Sequence, residues 1–337
     1  MRTRVVWWWL FLMGCSGATP PEPSPIGKAD PPEQTSAVPE ATATAKAASP
    51  PVVASAEPRP VPAFGMRRAD AEKYVLGLIN RDRAANGLPP VAWNETAAAA
   101  GRRQAADLAA HGVTAHFGTD GSVPEERYTE AGGGAMVMEN AGCLADAVTR
   151  EIDPDPIYRP ERLEKIEQAF MGEVPPRDGH RQNILSRRHN AVGVGLAQPK
   201  GLDVPCLVEE FIDDYGEYAS LPKKAKLGAK LRIEGKLRAP AQIAGVGFSR
   251  AEPRRPMSAA EIKKTHGYPI PSPYIMFFPA GFSTKIVLNA DKANNTFWIE
   301  APIGEGNRPG LYGVSVWGTF PGSKELVIVS LRTVEVQ

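Results

Sequence analysis

Few of the residues that carry chemistry or mark a special class of protein occur in this sequence. It has three Cys, five His and 7% aromatic residues in 337 positions. Its 39 Lys and Arg nearly balance 38 Asp and Glu, and a net charge of +1 provides no field to gather nucleic acid or an anionic membrane surface. Hydrophobic residues at 42% and charged residues at 23% argue against a disordered chain and against a polytopic membrane protein. The length allows about two domains at roughly 150 residues each.

Catalytic and nucleotide-binding motifs are missing as well. The sequence has no Gly-x-Ser-x-Gly elbow, no His-Glu-x-x-His, no phosphate loop and no dinucleotide fingerprint. Four of the five His lie between positions 111 and 189. What remains there for chemistry is a dispersed set of side chains, namely His116, Glu139, Glu173 and His180.

The first fifteen residues predict an export signal. Arg2 and Arg4 precede an apolar run at residues 5–13, which is shorter than the roughly 20 residues of a membrane-spanning helix. The run ends in Leu-Met-Gly-Cys, which resembles a bacterial lipobox. We therefore expect a lipoprotein-type signal peptide over residues 1–15, lipidation of Cys15 and a membrane anchor through that lipid. Ser16 favours an outer-membrane lipoprotein of the cell envelope. An ordinary secretory signal and an uncleaved anchor are the alternatives.

Proline is concentrated in the segment that follows. Twelve of the 33 Pro lie between positions 16 and 62, among Ala, Ser, Thr and Glu, with almost no large apolar side chain. Such a segment cannot bury enough surface to offset its chain entropy. The sequence predicts a disordered Pro/Ala-rich tether over residues 16–65.

Helical patterns come first in the remainder and strand patterns later. Val75, Leu78 and Ile79 are spaced for one buried helix face, Pro160 suits the first turn of a helix over 161–171, and residues 192–197 and 206–212 are apolar enough for strands. This order predicts an α+β domain over residues 66–219, with helices packed on an antiparallel sheet. Alternating patterns between Gly and Pro turns predict a separate all-β, sandwich-like accessory domain over residues 220–337.

Several motifs in the first domain carry a family resemblance. They are Asn80-Arg81, Gly87-Leu88-Pro89-Pro90, His116-Phe117-Gly118, Glu139-Asn140, Gly179-His180-Arg181-Gln182-Asn183 and Gly193-Val194-Gly195. In this order they resemble the CAP superfamily, or SCP-like domains (cysteine-rich secretory proteins, antigen 5, pathogenesis-related 1), in its bacterial secreted branch. The resemblance covers about residues 68–215 and implies an α-β-α sandwich with a broad cleft.

The family's cleft carries two His and two Glu, and the resemblance places them at four positions of this chain. His116 matches the first histidine, Glu139 the glutamate of the Glu-Asn pair, and His180 the second histidine. Glu173 stands where eukaryotic members have their second glutamate and many bacterial ones have a small polar residue. Residues 151–159 depart from the family as an insertion beside the cleft.

Such a set of side chains allows three interpretations. Neutral His nitrogens and Glu oxygens suit a divalent metal such as zinc, with His116, His180 and Glu139 as its ligands. Carboxylate and imidazole also form an acid–base pair. Alternatively, the groups satisfy one another by hydrogen bonds.

The primary functional hypothesis is an exported, lipid-anchored protein that binds an envelope or extracellular ligand in this cleft. The ligand would be a lipid, sterol, glycan or protein. Because the set has no identified nucleophile, we favour binding without turnover. The alternatives are a metal-dependent hydrolase acting on peptide or wall polymer, and a structural or adhesive protein that acts through the β domain.

The cysteines and the remaining histidines have simpler interpretations. With Cys15 lipidated, Cys143 and Cys206 remain as an even pair in an exported protein, which favours a disulfide. The alternative is a nucleophilic Cys143 paired with a His. We expect His111 at a helix C-terminus, where a cation favours the dipole, and His189 as a solvated loop residue beside two Arg.

Overall fold

The computed structural model describes residues 65–265, 267–281 and 285–337 of the chain. The expected signal peptide with Cys15, nearly all of the expected tether and His266 lie outside the described residues. The helices of the described ranges include none that is both long and apolar enough to cross a membrane.

The N-terminal part folds as three layers. Its elements are α1 (Arg68–Ala85), β1 (Ala92–Trp93), α2 (Glu95–His111), α3 (Pro124–Glu130), β2 (Met136–Gly142), α4 (Pro160–Met171), α5 (Gly179–Ile184), β3 (Ala191–Ala197) and β4 (Cys206–Asp213). The strands form one sheet in the order β1-β3-β4-β2, in which only the β1–β3 pair is parallel. The predicted helix that begins at Pro160 and both predicted strands are confirmed.

Each face of this sheet has its own apolar core. Val192 and Val194 of β3 pack with side chains of α1 and α4, whereas Val208 of β4 packs with α2 on the opposite face. Side chains alternate between the faces of a strand, so a sheet with apolar side chains on both faces is covered on both sides. The α-β-α sandwich predicted for this part is confirmed.

Two glycines let α2 lie directly on the sheet. A Cβ atom at Gly193 would stand 2.0 Å from the backbone nitrogen of Ala98, and one at Gly195 would stand 2.0 Å from the carbonyl carbon of Gly101. Any side chain there would push the helix away from β3. The Gly-Val-Gly motif therefore sets the distance between helix and sheet.

The C-terminal part consists of two sheets packed face to face. Its elements are β5 (Gly216–Tyr218), β6 (Lys224–Ala225), β7 (Lys230–Leu237), β8 (Gln242–Ala251), α6 (Ala259–Ile262), β9 (Ile275–Phe277), β10 (Asn289–Asp291), β11 (Thr296–Pro302), β12 (Gly310–Thr319) and β13 (Val327–Val336). One sheet has the order β10-β11-β7-β5 and the other β6-β13-β12-β8-β9. Ile233, Ile299 and Val314 belong to the apolar core that the two sheets share. These added sheets are consistent with a separate β domain, and β5 already pairs with β7 before position 219.

The two parts meet along β13. The Ser330 hydroxyl donates to the Gly134 carbonyl at 2.5 Å, and the Thr333 amide donates to the Thr129 hydroxyl of α3 at 3.2 Å. These contacts join residues almost 200 positions apart. They place the last strand of the chain against α3 and β2.

A second connection is the segment between β8 and β9, which we call the strap (residues 252–265 and 267–274). Its Met257 amide donates to the Thr119 carbonyl at 2.8 Å, and its Ile262 is fully buried in the apolar cluster on α2. The Tyr268 hydroxyl donates to the Glu125 carboxylate of α3. The strap thus leaves the β domain and lies over the N-terminal part.

Candidate functional site

His116 and Glu139 meet on the face of the sheet that α2 covers. The His116 ring lies in the loop after α2, and its Nδ1 is 2.9 Å from Oε1 of Glu139. Because a carboxylate can only accept, Nδ1 carries the proton and donates it. The other carboxylate oxygen accepts from Nη2 of Arg127 at 2.6 Å. His116 is 4% exposed and Arg127 is 1% exposed, so this triad is sealed from solvent.

A second carboxyl group lies directly opposite the first. Glu139 of β2 is in register with Glu210 of β4, and both are buried. Burial opposes ionisation of Glu139, but the Arg127 guanidinium and the hydrogen bond from His116 together outweigh it and hold the Glu139 pKa below its ordinary value. Burial, and then the charge of Glu139, raise the pKa of Glu210 well above its usual range. Near neutral pH Glu139 is ionised and Glu210 is protonated.

Glu173 and His180 form the second pair. Nδ1 of His180 donates to Oε1 of Glu173 at 2.6 Å, and the His180 amide donates to Oε2 at 2.9 Å. The imidazole stacks on Phe170 of α4 with 4.6 Å between ring centroids. Its Nε2 is buried and has no hydrogen-bond partner among the described residues. The two bonds to Glu173 fix both the ring and the start of α5.

Two asparagines connect the pairs. Asn140 follows Glu139 on β2 and faces the other side of the sheet, where its Nδ2 donates to the His180 carbonyl at 3.1 Å. Asn183 of α5 donates to Oδ1 of Asn140 at 2.9 Å. Each side chain of the Glu-Asn motif therefore contacts a different His/Glu pair. Glu139 belongs to the first pair, and Asn140 binds the backbone of the second.

The predicted zinc ligands do not form a ligand set in this arrangement. Nδ1 of each His is bound to a glutamate, and both oxygens of Glu139 are engaged. Within the described ranges, no three side chains of His, Cys, Asp or Glu are grouped so that they could hold a metal ion. The residues present pair in twos and do not converge on one centre.

The strap covers the first pair. The Tyr268 ring centroid lies 6.1 Å from that of His116 and 6.0 Å from that of Phe117. The Tyr268 hydroxyl donates a hydrogen bond to the buried carboxyl group of Glu125. Burial raises the pKa of Glu125, although this hydrogen bond acts in the opposite direction. The cleft that the family resemblance implies is closed here by a segment of the β domain.

The cysteines and the other histidines can be placed as well. The predicted disulfide is confirmed: Cys143, just after β2, is bonded to Cys206 of β4, with 4.3 Å between Cα atoms. Cys143 is therefore no free nucleophile. His111 ends α2 as predicted.

The prediction for His189 was wrong. The side chain is 4% exposed, its Nδ1 is 2.6 Å from Oδ1 of Asp213, and it stacks on Phe211. The two neighbouring Arg indicated solvent, but the ring enters the space beside β4 instead. No local pattern in the sequence predicts this contact, because Asp213 is 24 positions away from His189.

Sequence reasoning also missed a group of charged residues on both faces of the sheet. The sequence analysis assigned no role to Arg127, Glu210 or Tyr268. On the opposite face Glu167 of α4 lies against Glu209 of β4, both fully buried. Burial, and then the Glu209 charge, raise the pKa of Glu167 well above its usual range.

A cavity of about 750 Å³ lies where the two parts meet. It is lined by 22 residues from α3, the loop after α3, the β5–β6 connection, β13 and the root of the strap. Only three of them have aliphatic side chains larger than alanine or proline: Leu221, Leu311 and Val336. Seven are charged: Glu126, Glu130, Lys223, Lys224, Arg254, Arg332 and Glu335. Charged side chains thus outnumber large aliphatic side chains in the lining.

A comparison with protein families agrees with the fold of the N-terminal part. The model of the cysteine-rich secretory protein family, CAP, matches residues 76–210. Among solved structures, a 1.5 Å crystal structure of an extracellular protein containing an SCP domain from Bacillus anthracis str. Ames is similar at 17% identity and a TM-score of 0.33. That match covers 43% of this chain and 41% of the other, about two fifths of each. The curated proteins include no match to this chain. Residues 76–210 therefore form a CAP domain, as in the family of cysteine-rich secretory proteins.

Proposed function

We propose that this protein is exported and binds a polar ligand outside the cytoplasm without converting it. The charged n-region and short apolar run of residues 1–15 support export. The disulfide between Cys143 and Cys206 also supports it, because such bonds persist in oxidising compartments. Lipidation of Cys15 would anchor the chain in the cell envelope, and residues 16–65 would hold the folded part away from the membrane.

The observation that carries ligand binding is the cavity between α3 and β13. Its volume of about 750 Å³ lies within the range of small-molecule sites, roughly 300–1,000 Å³. Charged side chains, hydroxyls and backbone groups of glycines in this wall offer hydrogen bonds to a polar ligand. The ring of Tyr218 adds an aromatic face. This lining favours a saccharide among the ligands that we considered.

The His116/Glu139 pair supports binding without turnover. A general base needs a free oxygen or nitrogen that faces the substrate. Glu139 has both oxygens engaged and is ionised beside Arg127, and the strap lies over His116. We infer that the pairs hold the loops against the sheet.

The experiment compares two matched tryptophan substitutions in the full chain, solubilised in detergent. Ser220 is exposed and lines the cavity, whereas Ser323 is exposed and outside it. Binding is measured by calorimetry with oligosaccharides and with a sterol. We expect an oligosaccharide to bind, Ser220→Trp to weaken it at least tenfold, and Ser323→Trp to leave it unchanged.

Two results would contradict the proposal. One is retention of sterol with no saccharide binding. The other is hydrolysis of peptide or wall polymer that disappears in His180→Ala, which would favour the hydrolase.

A further inference from the structure

The wall of the cavity contains a buried arginine whose charge is unpaired. Arg332 of β13 is 3% exposed and lines the cavity. Its Nη1 donates to the Ala219 carbonyl, while Nε and Nη2 have no hydrogen-bond partner among the described residues. The guanidinium carbon lies 5.3 Å from the ring centroid of Tyr218. A buried guanidinium with five donors and one accepted bond is far from satisfied.

Two other long basic side chains of the wall, Lys224 and Arg254, are paired with acids. Lys224 pairs with Glu335 at 2.9 Å, and Arg254 lies 3.4 Å from carboxylate oxygens of both Glu126 and Glu130. These contacts neutralise the acids of the cavity. Nowhere in the described part of the chain does a carboxylate lie within 4.0 Å of Arg332. Burial lowers its pKa to about 10, so the group keeps its charge near neutral pH.

An anion can reach the Arg332 guanidinium by displacing the Ala219 carbonyl. Ala219 is exposed and belongs to the connection between β5 and β6, outside any strand. Its carbonyl is the only hydrogen-bond acceptor that Arg332 has in the described ranges. A ligand carboxylate that replaces this carbonyl can use two parallel donors of the guanidinium, which match its planar geometry.

We propose, on the basis of the binding function proposed above, that Arg332 binds the carboxylate of an acidic saccharide in this cavity. The Tyr218 ring beside Arg332 provides a face on which a sugar ring packs. Thr129, Thr333 and Gln337 supply hydroxyl and amide groups for the sugar hydroxyls. The carboxylate would complete the charge pairing of a wall in which the other acids are already neutralised.

The test uses two ligands with the same sugar chain, trigalacturonate and its uncharged methyl ester. Calorimetry on the full chain is expected to show at least tenfold tighter binding of the acid, decreasing with added salt. Arg332→Gln is expected to remove this preference. Arg254→Gln, the matched change at a paired arginine of the same wall, is expected to keep it. In the wild type, trigalacturonate is also expected to shift the NMR resonance of the Arg332 Nε–H group. This measurement does not depend on whether a variant folds.

The possible outcomes separate this inference from the function on which it rests. Equal binding of acid and ester, with both weakened by Ser220→Trp, overturns the role of Arg332 and leaves the saccharide site intact. If inorganic phosphate binds through Arg332 and trigalacturonate does not, the proposal of an acidic saccharide is overturned. If no saccharide binds at all, the proposed function fails with it. A large loss of stability in Arg332→Gln, together with an unshifted Nε–H resonance, would make the arginine a structural residue.

Discussion

Replacing Arg127 by Met tests the charge arrangement around His116 most directly. The guanidinium donates to Glu139, to the Ser122 carbonyl at 2.9 Å and to the His116 carbonyl at 3.1 Å, and it is buried. Removing one partner of a buried ion pair costs about 3–5 kcal/mol, because the other charge stays buried alone. Since two backbone carbonyls also lose their donor, we expect a loss of about 5 kcal/mol at pH 8.

The same substitution should change how stability depends on pH. In the wild type the pKa of Glu139 is lowered, so its contribution is present above the unfolded value of about 4.3 and is lost as the pH falls through the folded pKa. Without Arg127, burial raises the pKa of Glu139. The variant then loses stability as the pH rises above about 4.3. The difference between the two proteins should be largest at pH 8 and should shrink towards pH 4.5.

The assay is urea unfolding at pH 8 and pH 4.5, followed by tryptophan fluorescence and far-UV circular dichroism. The control is Arg103→Met, since Arg103 is 41% exposed and pairs with Asp120 and Glu130 at the surface. Exposed pairs contribute about 1 kcal/mol or less. Adding Glu139→Gln to the Arg127 variant should recover most of the loss at pH 8. A cost no larger than that of the control, or one independent of pH, would refute the reasoning.

Four further outcomes are expected. Reducing the disulfide should lower the free energy of unfolding by about 4 kcal/mol in the chain-entropy model, because Cys143 and Cys206 are 63 positions apart, and an unchanged urea midpoint with reductant would contradict this. Glu167→Gln should raise the free energy of unfolding at pH 8 and leave it nearly unchanged at pH 4, because a group with a raised pKa costs stability as the pH rises above about 4.3. A lower free energy of unfolding in urea at pH 8 would count against a protonated Glu167. Tyr268→Phe should cost about 1–3 kcal/mol and speed proteolysis within the strap, as the buried Glu125 loses its donor, whereas an unchanged cleavage rate would argue against this contact. One equivalent of zinc should not raise the melting temperature, and a rise that disappears in both His116→Ala and His180→Ala would show a metal centre.

Much of the CAP domain is predictable because its signals are local. Pro160 fits only the first turn of a helix, and α4 begins there. Gly193 and Gly195 stand in a strand where a side chain would meet α2. The Glu-Asn motif places two polar side chains on opposite faces of β2. From motif order we expected one shared set of His and Glu, whereas the structure shows two separate His/Glu pairs.

The closed state of the site has no such signal. His116 is sealed by Tyr268, which is 152 positions away and belongs to the strap, and the β-domain sequence shows only strands and turns. Glu139 is ionised because Arg127 lies on one side and Glu210 on the other. Tyr268, Arg127 and Glu210 come from three separate elements, namely the strap, α3 and β4. Burial then decides which carboxyl group keeps its proton, and no composition or spacing reports it.

The sequence by itself determined the helices and strands of the CAP domain, the even pair of cysteines and the four His and Glu positions. Each of these depends on residues that are neighbours in the chain or on a motif of fixed order. Only the tertiary structure decided that the strap covers His116 and that Arg332 is buried beside a cavity. The physical reason is that desolvation and charge pairing depend on distances between elements, and β13 meets α3 only after nearly 200 residues have folded between them.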